Sequence, residues 1–214
     1  MAKVVVSYDG TANDRDALAL GKLLARAGAS VALAYVRHAS DGDAAAAEAL
    51  LAAGAAELGG DVATHAVVSG STPEGLRALA LETGTDVIVF GSEYRTARGH
   101  VDPQRSARRL LEGGPIALGI APAGFAEASA FTPAAIGAVG EDGDPCVLET
   151  AESLAVRLEA EVAPAATAAV DLMVVGSKPG TVNGRVQISA AAEYLIELAS
   201  CPILVLPRGV AVEF

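Results

Sequence analysis

The feature that most constrains this chain is an alternation. From Lys3 to Ala121 short apolar runs rich in β-branched residues take turns with helix-forming segments, and Gly, Pro or a capping residue marks each change. The expected strands are Lys3 to Tyr8, closed by Asp9-Gly10, then Ser30 to Val36, Ala63 to Val68, Asp86 to Phe90 and Pro115 to Ala121. Between them fall helices from Asp14 to Ala27 with Thr11 or Asn13 as cap, from Asp41 to Leu58, over Leu76 to Thr83 after a Ser71-Thr72-Pro73-Glu74 start, and from Arg105 to Leu111. Apolar runs without polar alternation are strands buried on both faces. Strands separated by helices need right-handed crossovers, so the expectation is an α/β fold with a mainly parallel, doubly wound, five-stranded sheet.

Part of this pattern occurs twice. TDVIVFGS returns as VDLMVVGS, and Asp86, Gly91, Ser92, Gly99 and Val101 match Asp171, Gly176, Ser177, Gly184 and Val186 at an offset of 85. Gly10 and Leu18 match Gly140 and Leu148 at an offset of 130, so the second copy is 45 residues shorter. The loss falls between about Val162 and Val170, where the first copy has most of its second and third strands and helices. What remains predicts strands at Ala134 to Val139, Asp171 to Val175 and Ile203 to Leu206, with helices at Val147 to Ala160 and Ala190 to Leu198. The expected organisation is a complete domain over 1–123, a linker over 124–133 and a truncated domain of about three strands over 134–214. So thin a half-sheet has little core of its own and is expected to pack against the first domain.

Composition removes several function classes. A formal net charge of −11 opposes binding to nucleic acid or to anionic lipid, both of which need a positive field. Aromatics are only 4% of the chain and Trp is absent, so a base-stacking surface is not expected. Cys146 and Cys201 lack metal-ligand or CxxC spacing and read as inert core thiols in a reducing, cytoplasmic setting. The N-terminus enters a strand at once without a cleavable apolar segment, and the longest apolar runs are too short to span a bilayer.

With VVVSYDGT, DVIVFGS and RRLLEGGPIALGIAP echoed by VVGSKPG, GRVQISAAAEYLI and CPILVLPRG, the chain resembles the tandem universal stress protein family. The resemblance covers the first domain nearly throughout and the second at both ends. It implies a sheet of order 3-2-1-4-5, of the adenine nucleotide alpha hydrolase-like type, and a stress-response role; the residues themselves show no catalytic constellation, so no enzymatic activity is expected. Domains of that family associate through the fifth-strand side, so the shortened copy is expected to act as an intramolecular pseudo-dimer partner. A homo-oligomer and an unidentified protein partner are further expectations.

In an open parallel sheet, ligands sit beyond the strand ends where the order reverses, here between the first and fourth strands. An acidic side chain there can accept from an adenine amino group or a ribose hydroxyl, and a glycine loop opening a helix offers N–H groups to phosphate. The residues assigned to an adenine-nucleotide site, with ATP as one ligand, are Asp9, Gly10, Val36, Phe90, Gly91, Ser92, Arg95, Arg98, Gln104, Arg105 and Ser106. No cofactor is expected in the second domain, where Val139 stands in place of Asp9. The nucleotide-binding members of the family resemble G-x2-G-x9-G-[ST]; Gly91 fits, but Tyr94, Gln104 and Arg105 occupy the later positions, and Pro179, Ser189 and Ala190 do so in the second copy. Arg95, Arg98, Arg105, Arg108 and Arg109 gather five of the 15 basic residues. They supply forks for phosphate, or else a solvated face paired with Glu93, Asp102 or Glu112. Asp9 either meets a ligand or caps the first helix, and Ser92 and Ser177 read as turn residues. His38, His65 and His100 have no metal-ligand spacing. Three functions therefore stand open: a nucleotide-binding stress-response module, an interaction scaffold without nucleotide and, ranked last because the sequence assembles no positioned base or metal carboxylates, an adenine-nucleotide hydrolase.

Overall fold

The computed structural model describes residues 1–38, 43–127, 131–164 and 169–214. Five strands and four helices alternate first: β1 (Lys3–Ser7), α1 (Asp14–Arg26), β2 (Ser30–Arg37), α2 (Ala44–Leu58), β3 (Ala63–Val68), α3 (Thr72–Thr83), β4 (Val87–Gly91), α4 (Arg105–Leu111) and β5 (Ala117–Ala121). A short 3-10 turn, Phe125–Glu127, precedes β6 (Ala135–Val139), α5 (Pro145–Leu158), β7 (Glu161–Pro164), β8 (Leu172–Val175), α6 (Ala190–Leu198) and β9 (Ile203–Val205). All nine strands join one sheet in the order β3-β2-β1-β4-β5-β9-β8-β6-β7.

Strands β1 to β5 thus lie in the 3-2-1-4-5 order that the resemblance implies, all parallel. The second part has four strands, where the sequence pattern suggests about three. β7 runs parallel to β6 from Ala135 opposite Glu161 to Ala138 opposite Pro164. Four residues ending in proline carry no readable alternation, and backbone pairing with β6 makes them a strand regardless. Of the sequence expectations, residues 41–42 of the second helix, 128–130 of the linker and 165–168 of the shortened region lie outside the described residues.

One antiparallel pairing closes the sheet: β5 meets β9 with Leu118 opposite Val205, Gly119 opposite Leu204 and Ile120 opposite Ile203. Beside it, Gly113 N–H donates to Val186 O and Val186 N–H to Gly114 O, each at 2.8 Å. The core is continuous across this joint. On one face α1, α2 and α5 cover Val4, Val6, Leu33, Ile136, Leu172 and Leu204; on the other α3, α4 and α6 cover Val5, Ile88, Leu118, Ile120, Ile203 and Val205. Each fully buried aliphatic side chain contributes about 1.5–3 kcal/mol relative to exposure. The second part, expected to be thin, shares its core with the first.

The segment after each joint strand is pinned to the first helix of its own half. After β5, the buried carboxylate of Asp16 on α1 accepts from Gly124 N–H at 2.9 Å and Ala126 N–H at 2.8 Å, seating Phe125 in the core. After β9, Val212 N–H donates to Thr150 Oγ1 on α5 at 2.9 Å, and Phe214 is held by Ser153 and Arg157. Asp16→Ala strands two N–H donors next to the core, and each such loss costs about 1–3 kcal/mol. The expected outcome is a lower urea midpoint at unchanged m-value, with Asp16→Asn falling between, because one of its two acceptor positions survives.

Candidate functional site

The crevice beyond the carboxyl ends of β1 and β4 exists, but it is small. Its volume is about 80 Å³, and Ser7, Tyr8, Asp9, Tyr35, Val36, Thr72, Phe90, Gln104 and Ser106 line it. A water fills about 30 Å³ in the liquid, and pockets for drug-sized ligands span about 300–1,000 Å³. Five of the eleven residues assigned from sequence line it: Asp9, Val36, Phe90, Gln104 and Ser106. Ser7, Tyr8, Tyr35 and Thr72 were not assigned, although all four stand at the ends of β1 and β2 or the start of α3, where the strand-order rule points. Burial, then the charges of Glu57 and Asp14, push the Tyr8 hydroxyl above its ordinary pKa, so it stays a proton donor.

Between β1 and α1 the loop N–H groups already have an acceptor. Asp14 Oδ2 accepts from Asp9 N–H and Gly10 N–H, both at 2.7 Å, and from Thr11 N–H at 3.1 Å. Asp14 is buried at 4% exposure. Burial and the neighbouring Asp9 charge push its carboxyl up to about 7, against the pull of the Asp9 and Gly10 N–H bonds. Asp9 accepts from Thr11 N–H at 3.1 Å, an Asx turn within the loop. Asn13 occupies the cap position without a side-chain bond. Asp14 thus organises the α1 entry, a role the sequence reading gave to Thr11 or Asn13.

The Gly-Ser turn after β4 is built for packing. A Cβ on Gly91 would lie 2.2 Å from Asn13 O, so the bare backbone is what lets α1 start against the end of β4. Ser92 is buried; its hydroxyl donates to Ala121 O at 2.7 Å and accepts from Asp102 N–H at 3.2 Å. Gly99, at φ +81°, donates to Ala123 O at 2.8 Å while Ala123 N–H returns to His100 O, and Val101 drops into the core. The second copy repeats the serine and Gly-x-Val contacts, while its glycine, Gly176, faces the Val147 side chain instead of a main-chain oxygen. Ser177 donates to Leu206 O at 2.7 Å and accepts from Gln187 N–H, Gly184 at φ +74° donates to Arg208 O, and Val186 is fully buried. Gly-Ser followed by Gly-x-Val is therefore a clamp that ties the loop to the residues leaving the joint strand.

The arginines do not converge on the crevice. Arg98 pairs with Glu127, Arg108 with Asp102 and with Pro103 O, and Arg95 stacks over the Tyr94 ring at 5.0 Å. The Asp102 pair is one that the solvated-face reading named. Arg105 and Arg109 are exposed on α4. In the second half the corresponding end is tied shut: Ser189 bonds Glu141, and Arg208 grips Asp142 with two bonds at 2.7 and 2.9 Å. Cys146 and Cys201 are free thiols, and burial pushes Cys201 up to about 11, which makes thiolate chemistry unfavourable. Among the described residues no His, Cys, Asp and Glu cluster could hold a metal ion, and no helix is long and apolar enough to cross a membrane. His38 Nδ1 lies 2.8 Å from Ser69 O.

No family model and no curated protein matches the sequence. Solved structures do. A functionally unknown protein from Pseudomonas aeruginosa PAO1 aligns over 98% of this chain and 93% of its own, at 16% identity and a TM-score of 0.68. A universal stress protein from Archaeoglobus fulgidus DSM 4304 aligns over 97% of this chain and 98% of its own, at 15% identity and a TM-score of 0.62. The fold of this chain is therefore that of the universal stress protein structures, and the alignments span both parts of its sheet.

Two outcomes test these assignments. Gly91→Ala forces a side-chain carbon onto a main-chain oxygen, and a loss of about 3 kcal/mol or more in chemical denaturation is expected, as for other overpacked sites. For Asp14, the folded pKa lies above the unfolded one, so the folded state binds the extra proton between the two values. Its contribution to stability is complete below about pH 4 and is lost as pH rises through about 7. Asp14→Asn keeps a neutral acceptor, and urea melts across that window should show the downward slope in the parent and its loss in the variant.

Proposed function

We propose that this chain is a universal-stress-protein-like module working as an interaction scaffold, with its nucleotide cleft closed down and its second half serving as a built-in dimer partner. The observation that carries this reading is the crevice of about 80 Å³ beside a loop whose N–H donors Asp14 already satisfies. A nucleotide would have to displace a buried carboxylate and open a cavity several times larger, and both steps subtract from its affinity. The reading is non-enzymatic. Asp9 and Asp14, the carboxylates beside β1, are engaged with backbone N–H groups and are poorly placed to hold a metal or activate a water. The β5 edge, through which such domains associate, is occupied by β9 of the same chain. Free thiols fit a reducing cytoplasm.

A second reading draws on α4. Arg105 is exposed immediately between Gln104 and Ser106, which both line the crevice, so an adenine nucleotide at the mouth would find a phosphate partner there.

The two readings separate in one experiment. Mass spectrometry of the purified protein should show no co-purifying nucleotide, and ATP or AMP at millimolar concentration should leave the melting temperature unchanged. A saturable thermal shift abolished by Arg105→Ala would replace the scaffold reading with the second one. For the built-in partner, a chain ending at Glu127 bares the β5 edge with Leu118 and Ile120. Sedimentation should show it self-associating or losing stability, and a stable monomer would sink that part of the proposal.

A further inference from the structure

The joint consumes the edges of β5 and β9 and leaves two others, at β3 and β7, which differ sharply. At one end β7 is four residues long, opens on exposed Glu161 and closes on Pro164, which has no N–H to donate. Short length, charge and proline are the devices by which proteins keep an edge from pairing. At the other end β3 reads ATHAVV over six residues with no acidic, lysine, arginine or proline residue, and Val68 is 58% exposed. Among the described residues that edge has none of the usual protection.

The element beside it is equally bare. α2 packs on β2 and β3 and is apolar nearly all round, with Glu48 and Glu57 its only charged residues. Ala45, Ala49, Ala52, Ala53 and Ala56 face solvent. Small side chains permit close helix approach, and the neighbouring strand offers unpaired backbone groups, so edge and helix form one surface whose only charges are Glu48 and Glu57, on a chain of net charge −11.

From this we propose that two copies of the chain associate through their β3 edges, pairing antiparallel about a two-fold axis with the α2 helices flanking the joint. The proposal does not depend on whether the crevice takes a nucleotide. A two-fold at Ala66 sets Ala66 opposite its own copy, His65 opposite Val67 and Thr64 opposite Val68, each pair on one face of the sheet. It places Asp61 opposite Ser71, so the nearest acidic residue does not meet its own copy. An uncharged, self-complementary edge selects a second copy over a charged partner, for which it offers no counter-charge. The solution is the one the chain already uses internally, where antiparallel edge pairing between β5 and β9 has helices on both faces. With β7 protected, the contact is isologous and closes at a dimer. A six-residue pairing with one helix on each side belongs to the small, reversible class of interfaces.

Sedimentation of the full chain up to about 0.5 mM tests this, since small interfaces of this class dissociate in the micromolar range. A reversible monomer–dimer equilibrium is expected, with β3 amides gaining hydrogen-exchange protection as concentration rises. Thr64→Lys with Ala66→Lys, both at exposed positions, should weaken association at least about tenfold. These changes make the chain less acidic, so the weakening cannot come from global repulsion. Ala53→Arg on α2 should act in the same direction, and Val162→Lys on β7 should leave association unchanged. A monomer throughout that range, a dimer indifferent to both the β3 and α2 changes, or growth beyond a dimer would each overturn the proposal. Circular dichroism confirms that each variant is folded, and the Thr64→Lys and Ala66→Lys single changes replace the pair if it is not.

Discussion

Pairing of β5 with β9 is the constraint on which the rest of this molecule depends. β5 is buried along its whole length, and its Leu118 and Ile120 are fully covered. Such a strand cannot end a sheet, because its outward N–H and C=O groups would lie unpaired beside an apolar core. β9 supplies those partners, and the second half exists in folded form because its aliphatic side chains enter the same two core layers. The second half can be short for the same reason. Its outer end lies away from the joint, and β6 is covered on its far side by β7.

The repeated sequence acquires its meaning from this joint. Ser92 and Ser177 bond the carbonyls of Ala121 and Leu206, the last residue of β5 and the residue after β9. Gly99 and Gly184 bond the carbonyls two residues further on. In each half the loop after the fourth-type strand is thus stapled to the exit of the strand that makes the joint, and the buried valine of Gly-x-Val anchors the staple. Selection for a shared joint would keep this pattern in both halves even if neither bound a ligand.

Much of the fold was legible because burial dictates residue type. VVIV-like runs can only be strands covered on both faces, and helices between them force parallel order. β7 was not legible: EVAP has neither length nor periodicity, and its pairing is set by backbone geometry alone. The crevice at the strand-order switch was legible in the sequence, and the packing around it was not. Strand-end residues such as Asp9, Phe90 and Gln104 do line the crevice, whereas Gly91, Ser92 and Arg98 turn to packing, clamping and an ion pair. A glycine that admits a phosphate and one that admits a neighbouring main chain are the same letter. Only the position of Asn13 O distinguishes them.

Asp14 carries the argument about anions furthest. Three loop N–H groups converge on its carboxylate, an arrangement that elsewhere draws phosphate. Here the acceptor is covalently part of the chain, so its effective concentration is fixed and high, and a free anion must compete with it for the same N–H groups. Asp9 beside it adds a second negative charge, felt strongly enough to raise the Asp14 pKa along with burial. An incoming phosphate at this end meets carboxylates first, while Arg98 and Arg108 are drawn off to Glu127 and Asp102. Electrostatics and volume therefore act in the same direction at the strand-order switch, and the surfaces left for recognition are those that carry little charge.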